Sequence, residues 1–294
     1  MASDIPPQVL QDDIETMQTF WAERKQRTSR LYQTAKLAGF LFSIVFLTLI
    51  QFLYFGVILK IWGPEKTAVD RDSCTCTCWD TVFKGTYEMG VGRYKHVYFN
   101  VTAQTFKMCG LTVVAIIMTY ECTSYVVRIA LCGRIRYSML ALLVAVIHPH
   151  YYSWWMFFGY YNDDFYVQWY HQLLFTLTEL FSTALVLSML DRGVKPTPRK
   201  LFTVASISLL HILAGGMDQF VSNVVLGRGM FHQVSRDIAF FSSDFFYLIV
   251  AWAELAMLCA RENIPASLLL MSLKRDIITS AVIISGVLLI LSYI

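Results

Sequence analysis

Apolar residues collect into seven runs, at 37–59, 108–127, 137–160, 165–190, 201–226, 238–260 and 277–294, separated by polar breaks. Each run approaches the ~20 residues with which a helix crosses a hydrocarbon core. The pattern predicts an all-α membrane protein, a polytopic bundle of seven transmembrane helices. The narrowest break is YYNDDFY at 160–166. The last run has eighteen uncharged residues, the lower limit for a span. Its alternative is a segment lying along the membrane, which leaves six spans and a cytosolic C-terminus.

Basic residues orient the bundle, because short cytosolic loops collect Lys and Arg. Arg24, Lys25, Arg27, Arg30 and Lys36 precede the first run, and Arg128, Arg134 and Arg136 follow the second. Arg192, Lys195, Arg199 and Lys200 follow the fourth, and Arg261, Lys274 and Arg275 follow the sixth. Every second connection is thus basic. An odd number of spans with a cytosolic N-terminus gives that alternation.

Composition supports lipid as the solvent. Hydrophobic residues make up 56% and charged residues 15%, against about a quarter charged in soluble domains, and mean hydropathy is +0.51. A net charge of +3 makes no case for nucleic acid. The start, MASDIPPQVLQDDIETMQTF, has no basic region followed by an apolar core and so does not read as a cleavable signal. The first apolar run then serves as a signal anchor. Residues 1–36 form a cytosolic segment, amphipathic over 12–36 through Ile14, Met17, Phe20 and Trp21, ahead of a membrane domain at 37–294.

The connection at 63–107 lies on the non-cytosolic side. Alternating apolar residues flank Gly90 and Gly92, which suggests a β-hairpin resting on the membrane face. Asn100-Val101-Thr102 is an N-glycosylation sequon. Cys74, Cys76 and Cys78 cluster in the same loop, where an oxidising compartment favours disulfides. Alternate residues of an extended chain are too far apart to bond one another, so each needs a distant partner, and Cys109 is one. A thiolate metal site is the alternative, but one tight triplet lacks a second cluster.

Tyr and Trp crowd HPHYYSWWMFFGYYNDDFYVQWYH at 148–171, where they fit an interfacial belt. Ionisable groups inside the runs carry the functional signal, since each is costly in lipid and turns to the protein interior. Counted from the non-cytosolic run ends at 1.5 Å per residue, His150, His171, Asp218 and Asp244 fall roughly 9–15 Å deep. Glu121, His148, Glu179, His211 and Glu254 fall roughly 18–24 Å deep. Helical phase puts His211 with Asp218 on one face, Asp237 with Asp244 and Tyr247 on another, and His171 with Thr178 and Ser182 on a third. Gly215-Gly216 permits close approach or local loosening, and Pro149 kinks the third helix between its two histidines.

These groups define an expected pocket of His150, His171, Asp218 and Asp244, open to the lumenal side and extended inward by His211 and Glu179. It would handle an ion, a proton or a small amphipathic ligand, as in a transporter, channel or receptor. A second reading has His150, His171, Asp218 and Asp244 hold zinc for lipid hydrolysis, although no H-x-x-x-H spacing supplies two ligands from one turn. A third is a non-catalytic adaptor that binds a protein partner through the lumenal loop, its buried polar groups only clipping helices together. In topology alone the chain resembles the adiponectin-receptor and alkaline-ceramidase superfamily, which implies zinc hydrolase chemistry. Its paired-histidine motif on the last span has no counterpart here, so no residue is carried over. The orientation is opposite to that of G-protein-coupled receptors. Phosphate loops, nucleophile elbows, dinucleotide fingerprints and kinase motifs are absent from the sequence. Localisation is narrowed to the endoplasmic reticulum or the plasma membrane.

Overall fold

A computed structural model describes residues 7–53, 57, 81–84, 93–96, 103–163, 168–229 and 231–291. Helix α1 runs without interruption over Pro7–Gln51, so the amphipathic segment and the first apolar run are one rod. Nothing between them ends a helix, since no proline follows Pro7 before residue 51. Strands β1 (Thr81–Lys84) and β2 (Arg93–His96) pair antiparallel, with Val82 opposite Lys95 and Phe83 opposite Tyr94. The expected hairpin is thus present. Its turn, Asn100 and Cys74, Cys76 and Cys78 lie outside the described residues. Cys109 is exposed and forms no disulfide among the described residues.

The remaining helices are α2 (Ala103–Leu131), α3 (Tyr137–Ala145), α4 (Ile147–Asp163), α5 (Trp169–Met189), α6 (Pro198–Gly215), a π-helical segment (Gly216–Val225), α7 (Phe231–Glu262) and α8 (Ala266–Leu291). Among the described residues, four helices are long and apolar enough to cross a membrane: Ala22–Gln51, Phe106–Leu131, Trp169–Met189 and Gln233–Glu262. A fifth crossing results if α6 and the π-helical segment, bent by 60°, count as one.

The third and seventh expected spans depart from that standard for visible reasons. The third breaks at Val146 into α3 and α4. Pro149 has no N–H for the carbonyl four residues back, and its ring crowds that carbonyl. The carbonyl is that of Ala145, and Ser243 on α7 donates its hydroxyl to it instead at 3.2 Å. The break therefore falls at Val146, ahead of both His148 and His150 rather than between them as the sequence suggests, and Pro149 sits in the first turn of α4, where proline is tolerated. The seventh run is the C-terminal part of α8, whose first half carries Lys274, Arg275 and Asp276.

Helices α3–α4, α5, α6 and α7 pack around one core. Met139, Leu142, Val186, Leu190, Leu201, Val204 and Leu255 are all but inaccessible there. The α1–α2 pair docks on α4, and α8 lies against α6. Gly39 brings α1 against α2 so closely that a Cβ would stand 2.7 Å from the Ser124 Cα. One turn on, the Ser43 and Thr123 hydroxyls meet at 2.5 Å. Small residues at a membrane helix contact allow this approach.

The basic end of the bundle is clasped by backbone. Arg136 N–H donates to the Leu190 carbonyl at 2.8 Å and Arg192 N–H to the Arg134 carbonyl at 2.7 Å. Arg134 also pairs with Asp191 at 2.8 Å. Helix α6 then starts on a Thr197 cap whose hydroxyl accepts from Lys200 N–H, with Pro198 at its first position.

Candidate functional site

Three helices each contribute one ionisable side chain to the centre of this bundle. Glu179 is the middle residue of α5, ten residues from either end. His211 stands thirteen residues beyond the first residue of α6 and Asp244 thirteen beyond that of α7. At 1.5 Å per residue these positions lie about 15–20 Å from the first residue of each helix, close to half a hydrocarbon core. Helix α7 starts at Phe231 rather than 238, and that earlier start carries Asp244 to the level of the other two.

His211 is the hub. Its Nδ1 lies 3.2 Å from Asp244 Oδ1 and 3.3 Å from Glu179 Oε2. One donor atom from each residue falls within 4.8 Å of the others. His211 and Glu179 are 4% and 9% exposed, which removes water as a partner for most of their polar atoms. The opposite ring nitrogen, Nε2, meets the Thr178 hydroxyl at 2.6 Å. Phe175 covers the ring at 4.9 Å between centroids.

The hydrogen-bond inventory assigns the ring's polarity. A threonine hydroxyl has one proton. Thr178 lies 2.7 Å from the Leu174 carbonyl and 3.1 Å from that of Phe175, and carbonyls only accept. Its proton is committed there, so the oxygen accepts from His211 Nε2–H. A neutral imidazole with its proton on Nε2 presents a lone pair at Nδ1. That lone pair would face two carboxylate oxygens, an arrangement that needs a positive charge between them. One imidazolium offsets only one of the two carboxylates. The site therefore calls for a cation or a second proton.

His150 on α4 meets the Thr183 hydroxyl at 2.9 Å, one turn beyond Glu179 on α5. Tyr247, three residues past Asp244 on α7, is buried beside this cluster's helix face. His148 packs in an aromatic group, 5.5 Å from Phe240 and 6.1 Å from Tyr152 between centroids. His171, partly buried, lies two turns before Glu179 on α5, about 12 Å along the axis. Asp218 falls in the π-helical segment, and its side chain lies outside the described residues. Of the expected groups, the structure thus joins Asp244 to Glu179 and His211, with His150 on the next turn. His171 is not in that cluster. Glu254 accepts from Ser138 nearer the basic end, and Glu121 is exposed on α2.

A second buried polar group was not signalled by apolar runs. Arg236 donates through Nε to Asp237 at 2.7 Å, through Nη2 to Gln219 Oε1 and through Nη1, at 3.5 Å, to the Tyr152 hydroxyl. Asn223 donates to the other Asp237 oxygen at 2.7 Å. Positions 244 and 236 are eight apart on α7. The Arg236 group therefore lies about 12 Å from the triad, towards the end opposite the basic clasp. The π-helical segment supplies Gln219 and Asn223. Its i→i+5 ladder reaches Leu226 N–H, which donates to Val221 at 2.9 Å, and Gly227 at φ +62 ends it. Gly215-Gly216 marked the place where α6 gives way.

The chain belongs to the family described as Family of unknown function (DUF8801), whose model matches residues 36–294. Neither a curated protein nor a solved structure matches it.

Proposed function

Proceeding from a family whose membership brings no activity with it, we propose that this protein is a multi-pass membrane protein that handles a cation or proton at Glu179, His211 and Asp244. It would act as a transporter or channel rather than as a scaffold. One observation carries the reading: two carboxylates from two helices converge on a single imidazole nitrogen at the middle of an apolar bundle. Intramembrane ionisable groups are expensive, and those that gather mark ion paths and proton relays. The broken α6, whose break lies four residues from His211, adds support, since interrupted helices form ion sites near the midplane.

In this reading the chain spans seven times with a cytosolic N-terminus, the third and seventh crossings being the α3–α4 pair and the end of α8. The alternation of basic connections supports that topology. The loop at 63–107 then faces the lumen or the exterior, with Cys74, Cys76, Cys78 and Cys109 available for disulfides and Asn100 for a glycan.

The test is flux. The full chain in proteoliposomes, loaded with pH-sensitive or divalent-sensitive dye, is expected to pass protons or cations above empty vesicles. Glu179→Gln and Asp244→Asn should each abolish that flux. Vesicles indistinguishable from empty ones, or variants as active as the parent, would overturn the reading.

A further inference from the structure

Resting on the cation-handling reading, we infer that the cation held by Glu179, His211 and Asp244 is a divalent transition metal of the zinc class, with His211 Nδ1 as its nitrogen ligand. Two distances favour a metal over a proton. A charge-assisted N–H···O bond to a carboxylate is about 2.7–2.9 Å long. The two contacts of Nδ1 are 3.2 and 3.3 Å, and one N–H cannot point at both oxygens. Zinc bonds of about 2.0–2.1 Å at tetrahedral angles place neighbouring ligand atoms about 3.3–3.4 Å apart. The geometry is that of two edges of a metal tetrahedron.

The surroundings fit the same ion. A metal-bound histidine donates its other ring N–H to an acceptor that fixes ring and tautomer. Thr178 takes that role at 2.6 Å, with its own proton held by Leu174. Two carboxylates and a neutral imidazole balance a dication, leaving a neutral site in a medium that penalises net charge. One nitrogen and two oxygens do not suit calcium, which takes six to eight oxygens, or magnesium, which demands an octahedron. The Ser182 hydroxyl is 2% exposed, has no hydrogen-bond partner among the described residues, and lies on the face of α5 that carries Thr178 and Glu179. It stands ready for a metal-bound water in the fourth position.

The experiment uses the full chain in nanodiscs, stripped with chelator and titrated with Zn²⁺ alone, then with Co²⁺ as a spectroscopic substitute. Expected are one tightly held metal per chain, a tetrahedral Co²⁺ spectrum, and loss of both in His211→Ala and Asp244→Asn. Thr178→Val should keep the stoichiometry but weaken affinity about 10–100-fold. To separate metal loss from misfolding of His211→Ala, Asp244→Asn is also read by thermal unfolding. Zn²⁺ should raise the melting temperature of the parent and leave that of the variant unmoved. Metal bound equally by parent and variants overturns the proposal as adventitious binding. Proton flux without metal binding overturns it while leaving the cation-handling reading intact, and absence of both removes the two together.

Discussion

The Thr178 hydroxyl, 2.6 Å from His211 Nε2, fixes which side of the imidazole is free to meet the carboxylates. Thr178→Val removes the acceptor and leaves a buried N–H unsatisfied. That should cost about 1–3 kcal/mol, seen as a lower melting temperature of the protein in detergent. Thr178→Ser restores the hydroxyl and should recover most of the loss.

Removing the hub should be worse than removing a spoke. His211→Ala leaves Glu179 and Asp244 facing each other in the core, a loss of about 3–5 kcal/mol if one buried partner of a charge group is deleted. Adding Glu179→Gln to that variant should recover stability, because one of the uncompensated charges is gone. A double-mutant cycle over Glu179 and His211 is expected to give about 0.5–3 kcal/mol of coupling. Additive effects would separate the two residues energetically.

Arg236 and Asp237 tie α7 to α4 and the π-helical segment, with side chains 12% and 6% exposed. Asp237→Asn leaves the guanidinium without its counter-charge and should destabilise by about 3–5 kcal/mol. Protection from proteolysis at the end of the bundle near Gly227 should fall with it, while the basic clasp, far along α7, stays intact.

Pro149 and Ser243 act on one carbonyl. Ser243→Ala strips the Ala145 carbonyl of its donor and should cost about 1 kcal/mol. In Pro149→Ala the missing N–H returns, so the same Ser243→Ala change should then cost less. Thermal unfolding of the two single variants and the double variant reads the difference.

Gly39 permits the α1–α2 contact, and any larger residue must displace Ser124 backbone. Gly39→Val should separate the pair. A disulfide engineered at positions 43 and 123, which forms readily in the parent, should form slowly in the variant.

The helical runs and the hairpin were legible because periodicity and turn residues act locally; Pro149 signalled a break but not its place, which lies at Val146, one turn ahead of the expected kink between His148 and His150. The residues of the site were legible one by one, since Glu179, His211 and Asp244 are each conspicuous in an apolar run. Their grouping was not. Depth counted from run ends put Asp244 in the outer layer, because a polar start, FHQVSRD at 231–237, hides the first two turns of α7 from hydropathy. The same polar start hid Arg236, which reads as a loop residue until α7 buries it against Gln219 and Asp237. Which donor faces which acceptor, as for Thr178 and His211, depends on how α5 and α6 pack, and no spacing within either helix encodes it.

The most direct test of the account is the state of the His211 ring, read by solid-state ¹⁵N NMR of the full chain in lipid. The account predicts a protonated Nε2, with Nδ1 carrying either a metal ion or a second proton. A neutral ring with its only proton on Nδ1 and a bare Nε2 would contradict it.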